Sequence, residues 1–143
     1  MAPRRGYEFF DHTADVGAVV RGATLGRLFE NAGCALSDLM CDRRTVRPRR
    51  RVRIAVAGEG IEDLLVRWLS EILFLHDTAG WLFCRFRVDK VDRQGRVARG
   101  VAWGEPVDRT RHALRSEVKA VTYHQLRLVR GRSAWRVRVV FDI

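Results

Sequence analysis

A chain of 143 residues, 47% hydrophobic and 31% charged, fits one domain with its own core and is neither disordered nor membrane-like in composition. No apolar run approaches the roughly 18 residues needed to cross a bilayer. The opening MAPRRGYEFF lacks the apolar stretch of a signal peptide, so a cytoplasmic location is expected. The net charge of +10 favours a nucleic acid or an acidic partner through phosphate contacts. All but two of the basic residues, Lys90 and Lys119, are arginines, which coding bias in a GC-rich genome would also produce.

In chain order, the first feature is FDHTADVG (Phe10–Gly17), where Asp11, His12, Thr13 and Asp15 crowd together before a strand pattern. The cluster reads as a turn, a helix cap or a set of cation ligands. TLGRLFENAGCALSDLM (Thr24–Met40) then places Leu25, Leu28, Phe29, Ala32, Leu36, Leu39 and Met40 on one helical stripe, with Thr24 as N-cap. Cys34 falls in that pattern and reads as a small hydrophobe. Cys34, Cys41 and Cys84 are odd in number and lack CxxC spacing, which argues against disulfides and zinc. CDRRTVRPRRR (Cys41–Arg51) is a basic connector, read as a solvated loop ahead of a phosphate-binding arm.

RVRIAV (Arg51–Val56) alternates as a half-buried strand does. GIEDLLVRWLSEILFLHDTAG (Gly60–Gly80) is a second amphipathic helix, with Glu62 and Asp63 in its first turn and His76 near its end, where no catalytic role is expected. FRVDKV (Phe86–Val91), RVARGVAWG (Arg96–Gly104), VKAVTYHQLRLV (Val118–Val129) and WRVRVV (Trp135–Val140) add strands. DRQG (Asp92–Gly95) and VRGRSA (Val129–Ala134) carry hairpin-turn chemistry. Two one-sided helices and one-sided strands bury best as an α+β layered sandwich. This predicts a mostly antiparallel β-sheet with both helices on one face, in a single domain over residues 1–143.

Conventional catalytic signatures, from GxGxxG to HExxH, are absent. The chain closes in VVFDI, with Asp142 followed by Ile143 and its α-carboxylate. Were the strand at Asp15 to neighbour the last strand, three carboxylates would repel unless a cation bridged them. Oxygen ligands of this kind suit Ca²⁺, Mg²⁺ or Mn²⁺ rather than Zn²⁺. Capping and turn roles for aspartate are the commoner alternative.

FDHTADVG, IEDLLVRWLSEILFLHDTAG, GEPVD, EVKAVTYHQL and VVFDI, spread in this order over nearly the whole chain, strongly resemble the archease family. The resemblance implies an α+β sandwich and a protein cofactor of RtcB-type RNA ligases, which join RNA ends in tRNA splicing and RNA repair. Such a protein promotes guanylylation of the ligase's active-site histidine and multiple turnover, and is not itself an enzyme. It also implies that Asp15, Asp142 and Ile143 hold a divalent metal ion, and that Lys119 is associated with activity. His12 and Thr13 belong to the same motif; His12 either contributes to activation or orders the turn, while His124 reads as a core histidine. Asp11 stands where the family commonly has glutamate, and the arginine-rich connector is more basic than usual. Two other readings stay open: a basic nucleic-acid-binding chaperone for tRNA-modifying enzymes such as a tRNA methyltransferase, touching tRNA or other RNA directly, and a metal-dependent hydrolase. No positioned base or nucleophile supports the last.

Overall fold

Thr24 opens the first helix as its sequence predicts: its Oγ1 accepts the Arg27 amide proton at 3.0 Å, and α1 runs Leu25–Met40. Its buried stripe is the predicted one. The second helix, α2, runs Ile61–Ala79 from Gly60 (φ 115°) to Gly80 (φ 71°), two positions where a side chain would strain the backbone. Trp68 of α2 is fully buried and donates its indole N–H to the Phe29 carbonyl of α1 at 3.1 Å. That bond satisfies the polar end of a large side chain and ties the helices together. Trp68→Ala removes both, at roughly 3–5 kcal/mol.

The computed structural model describes residues 6–12 and 15–143, the side chain of His12 excepted. Around the helices lie eight strands: β1 Tyr7–His12, β2 Asp15–Gly22, β3 Arg50–Ala57, β4 Trp81–Val91, β5 Val97–Pro106, β6 Ala120–Thr122, β7 Leu128–Arg130 and β8 Trp135–Asp142. The layered α+β class is as read, and all pairings are antiparallel. The strands divide into two sheets, a division that alternation alone does not encode. One is five-stranded, with β1-β2-β8-β6 in order and β7 also on β8; the other is three-stranded, β3-β5-β4. Both helices touch both sheets, and a single core cluster takes in Tyr7, Val20, Phe29, Trp68, Phe86, Val121 and Phe141.

Side chains alternate across each strand. On β2 and β8 the core takes Val16, Ala18, Val20, Val137, Val139 and Phe141. Asp15 and Asp142 therefore share the opposite, solvent side. Ile143 returns to the core side and packs there half-buried.

One expectation is corrected in part. The connector after α1, read as a solvated loop, is packed over residues 41–46 and exposed over residues 47–51. Cys41 and Val46 are buried under Leu82, and Arg43 reaches Asp38 at 2.9 Å, the Cys84 carbonyl at 2.9 Å and the Cys34 sulfur at 3.3 Å. Its alternating arginines concealed two apolar anchors. Cys34 packs half-buried against the core as the small apolar side chain its sequence context predicts, with the Arg43 guanidinium beside it, and burial pushes its thiol pKa up, away from reactivity.

Candidate functional site

Antiparallel pairing of β2 with β8 makes Asp15 and Asp142 direct cross-strand partners. Opposed residues on one face have Cβ atoms roughly 5 Å apart, and like charges so placed repel. The same register puts His12 opposite Asp15 and Ala120 opposite Asp142. Asp142 thus lies on the strand shared by β2 and β6, with its main chain held: the Lys119 amide donates to the Asp142 carbonyl at 2.7 Å. Lys119 itself is exposed.

One end of the five-stranded sheet therefore gathers Asp15, Asp142, Ile143 and Lys119, residues 104 or more positions apart in pairs drawn from β2 and the closing segment. Asp15 and Asp142 are half-buried. Among the described residues no third His, Cys, Asp or Glu side chain joins them in a metal-holding group. Thr13, Ala14 and the His12 side chain lie outside the described residues, so of the HTAD motif only Asp15 is placed in full. The donor set is carboxylate oxygen throughout, which fits a hard divalent cation and does not fit zinc's preference for nitrogen and sulfur.

His124 does not bear out its reading as a core histidine. Strand β6 stops at Thr122, and residues 123–127 turn outward through Gln125 at φ 49°. His124 is exposed as a result. The turn is fastened instead by Tyr123, whose hydroxyl donates to Asp63 at 2.5 Å, and by Glu62, which accepts the Leu128 amide proton at 3.2 Å. The acids in the first turn of α2 thus tether a distant loop besides meeting the helix dipole. His76 is placed structurally, its Nδ1 2.9 Å from the Trp81 carbonyl.

A second cluster of titratable groups was not anticipated. Glu105 of β5 has a side chain only 3% exposed. It accepts two bonds from Arg111 at 2.6 and 2.9 Å, one from the Arg47 amide at 2.7 Å and one from His112 Nε2 at 2.9 Å. His112 Nδ1 accepts the Asp108 amide proton at 2.8 Å, which leaves Nε2 as the donor to Glu105. The Arg111 bonds, with those from Arg47 and His112, hold the Glu105 pKa far below its ordinary value. The fully satisfied carboxylate locks the connector to the 107–115 loop. GEPVD contained the glutamate, but nothing local in the sequence marked its partners.

Comparison with known proteins identifies the family. The model of the Archease protein family matches residues 7–143. The protein archease of Sulfurisphaera tokodaii is 36% identical over 137 residues, covering 96% of this chain and 98% of that one. That of Methanopyrus kandleri is 40% identical over 138 residues, covering 96% and 99%. The solution structure of Methanobacterium thermoautotrophicum protein 1598 superposes with a TM-score of 0.81 at 35% identity, covering 97% and 99%. A Thermotoga maritima archease, described as a possible chaperone, shares the fold at a TM-score of 0.63 and 22% identity. With the β2–β8 pairing, the two-helix core and the match running from the first strand to Ile143, the chain belongs to the archease family.

Proposed function

We propose that this protein is an accessory factor for an RtcB-type RNA ligase, promoting guanylylation of the ligase and its repeated turnover without processing a substrate of its own. The observation that carries the reading is the pairing of Asp15 with Asp142 at the end of β2 and β8, beside Lys119. A cross-strand pair of carboxylates is disfavoured for stability alone, and a divalent cation, as Mn²⁺, Mg²⁺ or Ca²⁺, would offset the repulsion. Asp15, Asp142 and the main-chain carboxylate of Ile143 would hold it. Bound there, it would supply positive charge for phosphate oxygens at the ligase.

The chain's own residues do the positioning. Ile143 packs its side chain on the core, which fixes its main chain beside Asp142. The Lys119 amide holds Asp142 from the other side. The Lys119 ammonium is left exposed for a phosphate or a partner carboxylate. Two side-chain carboxylates and one main-chain carboxylate leave coordination positions open, as suits an ion shared with a partner.

The test is a ligation assay with an RtcB-type ligase, Mn²⁺ and GTP. With RNA in excess over ligase, adding this protein is expected to sustain turnover; with ligase in excess it should add little. Equal multiple-turnover rates with and without it would remove the reading.

A further inference from the structure

The three-stranded sheet has a solvent face that the reading above does not use. Its register sets side chains in three cross-strand rows: Arg51–Trp103–Arg85, then Arg53–Val101–Arg87, then Ala55–Arg99–Lys90. The five arginines and Lys90 are exposed. Residues of opposite parity, Ile54, Ala98, Ala102 and Phe86, belong to the core, so these rows face away from the helices. Val101 is outside the core clusters yet only 6% exposed, as the aliphatic stems of flanking arginines would leave it. Arg85 stacks its guanidinium 4.1 Å from the centre of the Trp103 ring, and Arg87 lies 5.4 Å from it.

Sheet stability does not call for this arrangement, because opposed strands are stabilised by opposite charges and weakened by like ones. Among the described residues only Arg87 has an acidic partner there, Asp89 at 2.8 Å. The arginine pairs on β3 and β4 are two strands apart, roughly 10 Å, and within each strand the arginines follow at roughly 7 Å. The result is a shallow channel with two cationic walls and an aromatic floor. A polyanion with flat, stackable groups matches it: guanidinium forks suit phosphates, and an indole or a stacked guanidinium suits bases.

We propose that the outer face of the β3-β5-β4 sheet is a binding platform for single-stranded RNA, with Arg51, Arg53, Arg87 and Arg99 on phosphates and the Trp103–Arg85 stack under a base. The choice of RNA over DNA rests on the ligase reading; the binding itself does not, and it is measured with no ligase present.

The experiment titrates the whole protein into a labelled, unstructured oligoribonucleotide, with the matching deoxy strand, an RNA duplex and an oligoglutamate peptide as parallel probes. Single-stranded RNA is expected to bind tightest, with log K falling against log salt at a slope of about −3, from roughly −0.7 for each of four phosphates. Trp103→Ala and Arg85→Ala should each weaken binding about tenfold, within the range for loss of one stacked base, whereas Trp103→Phe should retain most of it. Arg53→Ala with Arg87→Ala should flatten the slope by about 1.4. The charge-matched pair Arg127→Ala with Arg132→Ala, in the turns flanking β7 of the other sheet, should leave it unchanged. Thermal melting checks the fold of each variant, and Arg85→Ala, a change of one exposed side chain, keeps the test decisive should Trp103→Ala unfold. Equal weakening by the control pair would overturn the proposal. So would equal or tighter binding of the deoxy strand, the duplex or the oligoglutamate, the last assigning the face to an acidic protein.

Discussion

Asp15 of β2 stands directly opposite Asp142 of β8 on the solvent side of the five-stranded sheet, at the one place where β2, β6 and the last residues of the chain meet. If that pairing serves a cation, Mn²⁺ or Ca²⁺ should raise the melting temperature of the wild-type protein, because a ligand bound only by the native state stabilises it. Asp15→Asn and Asp142→Asn should abolish most of the rise while shifting metal-free stability by no more than about 1 kcal/mol. Equal metal-induced stabilisation in both variants would put the cation elsewhere.

The main-chain carboxylate of Ile143 gives a sharper test. Extending the chain beyond Ile143 turns the proposed charged ligand into a neutral amide, whereas the same extension before Met1 leaves it untouched. Cation-induced stabilisation and ligase activation should fall together in the first form and persist in the second. Full activity with the C-terminal extension would exclude the carboxylate as a ligand.

Lys119 separates recognition from folding. Its backbone amide serves Asp142 whatever the side chain, and its exposed ammonium contributes little stability. Lys119→Ala should melt within about 0.5 kcal/mol of wild type and fail to activate the ligase. Arginine should rescue poorly, since a planar fork replaces a compact charge. Normal activation by Lys119→Ala would reduce the residue to surface.

Much of this was legible in the sequence. The helices followed from apolar spacing and from Thr24, because a helix is coded by neighbours three and four residues apart. Alternation marked the strands but not their partners, so the split into two sheets, and with it the Arg51–Trp103–Arg85 row, waited on the fold. The strand pattern running to Asp142 raised its closeness to Asp15 as one possibility and the family resemblance favoured it, since no local pattern reports a contact across the chain. His124 was misplaced because the strand around Val121 ends early in a turn that Asp63 and Glu62 tie down from α2.

The Glu105 cluster was wholly non-local, and it makes a pH-dependent prediction. A carboxyl whose folded pKa is held below its ordinary value of 4.5 contributes stability that is complete above that pH and lost as pH falls through the folded value. Glu105→Gln should cost roughly 3 kcal/mol near neutrality, the penalty for breaking a buried charge pair. The difference from wild type should shrink steadily below pH 4.5. Urea midpoints of both proteins across that range decide it, and a gap constant down to pH 3 would mean that the loss is steric.

β8 pairs with β2, β6 and β7, so the five-stranded sheet closes only when residues 135–142 find residues 15–22, more than a hundred positions away. The β4–β5 hairpin needs only the local turn at Asp92–Gly95. Loop-closure entropy favours the local pairing and delays the distant one. The β4–β5 hairpin is therefore expected to gain amide protection before the β2–β8 pairing, and the end bearing Asp15 and Asp142 last. If Asp15 and Asp142 hold the proposed cation, its affinity should then appear only after the slowest step of refolding, and the ion would report completed assembly, which a half-folded chain cannot satisfy.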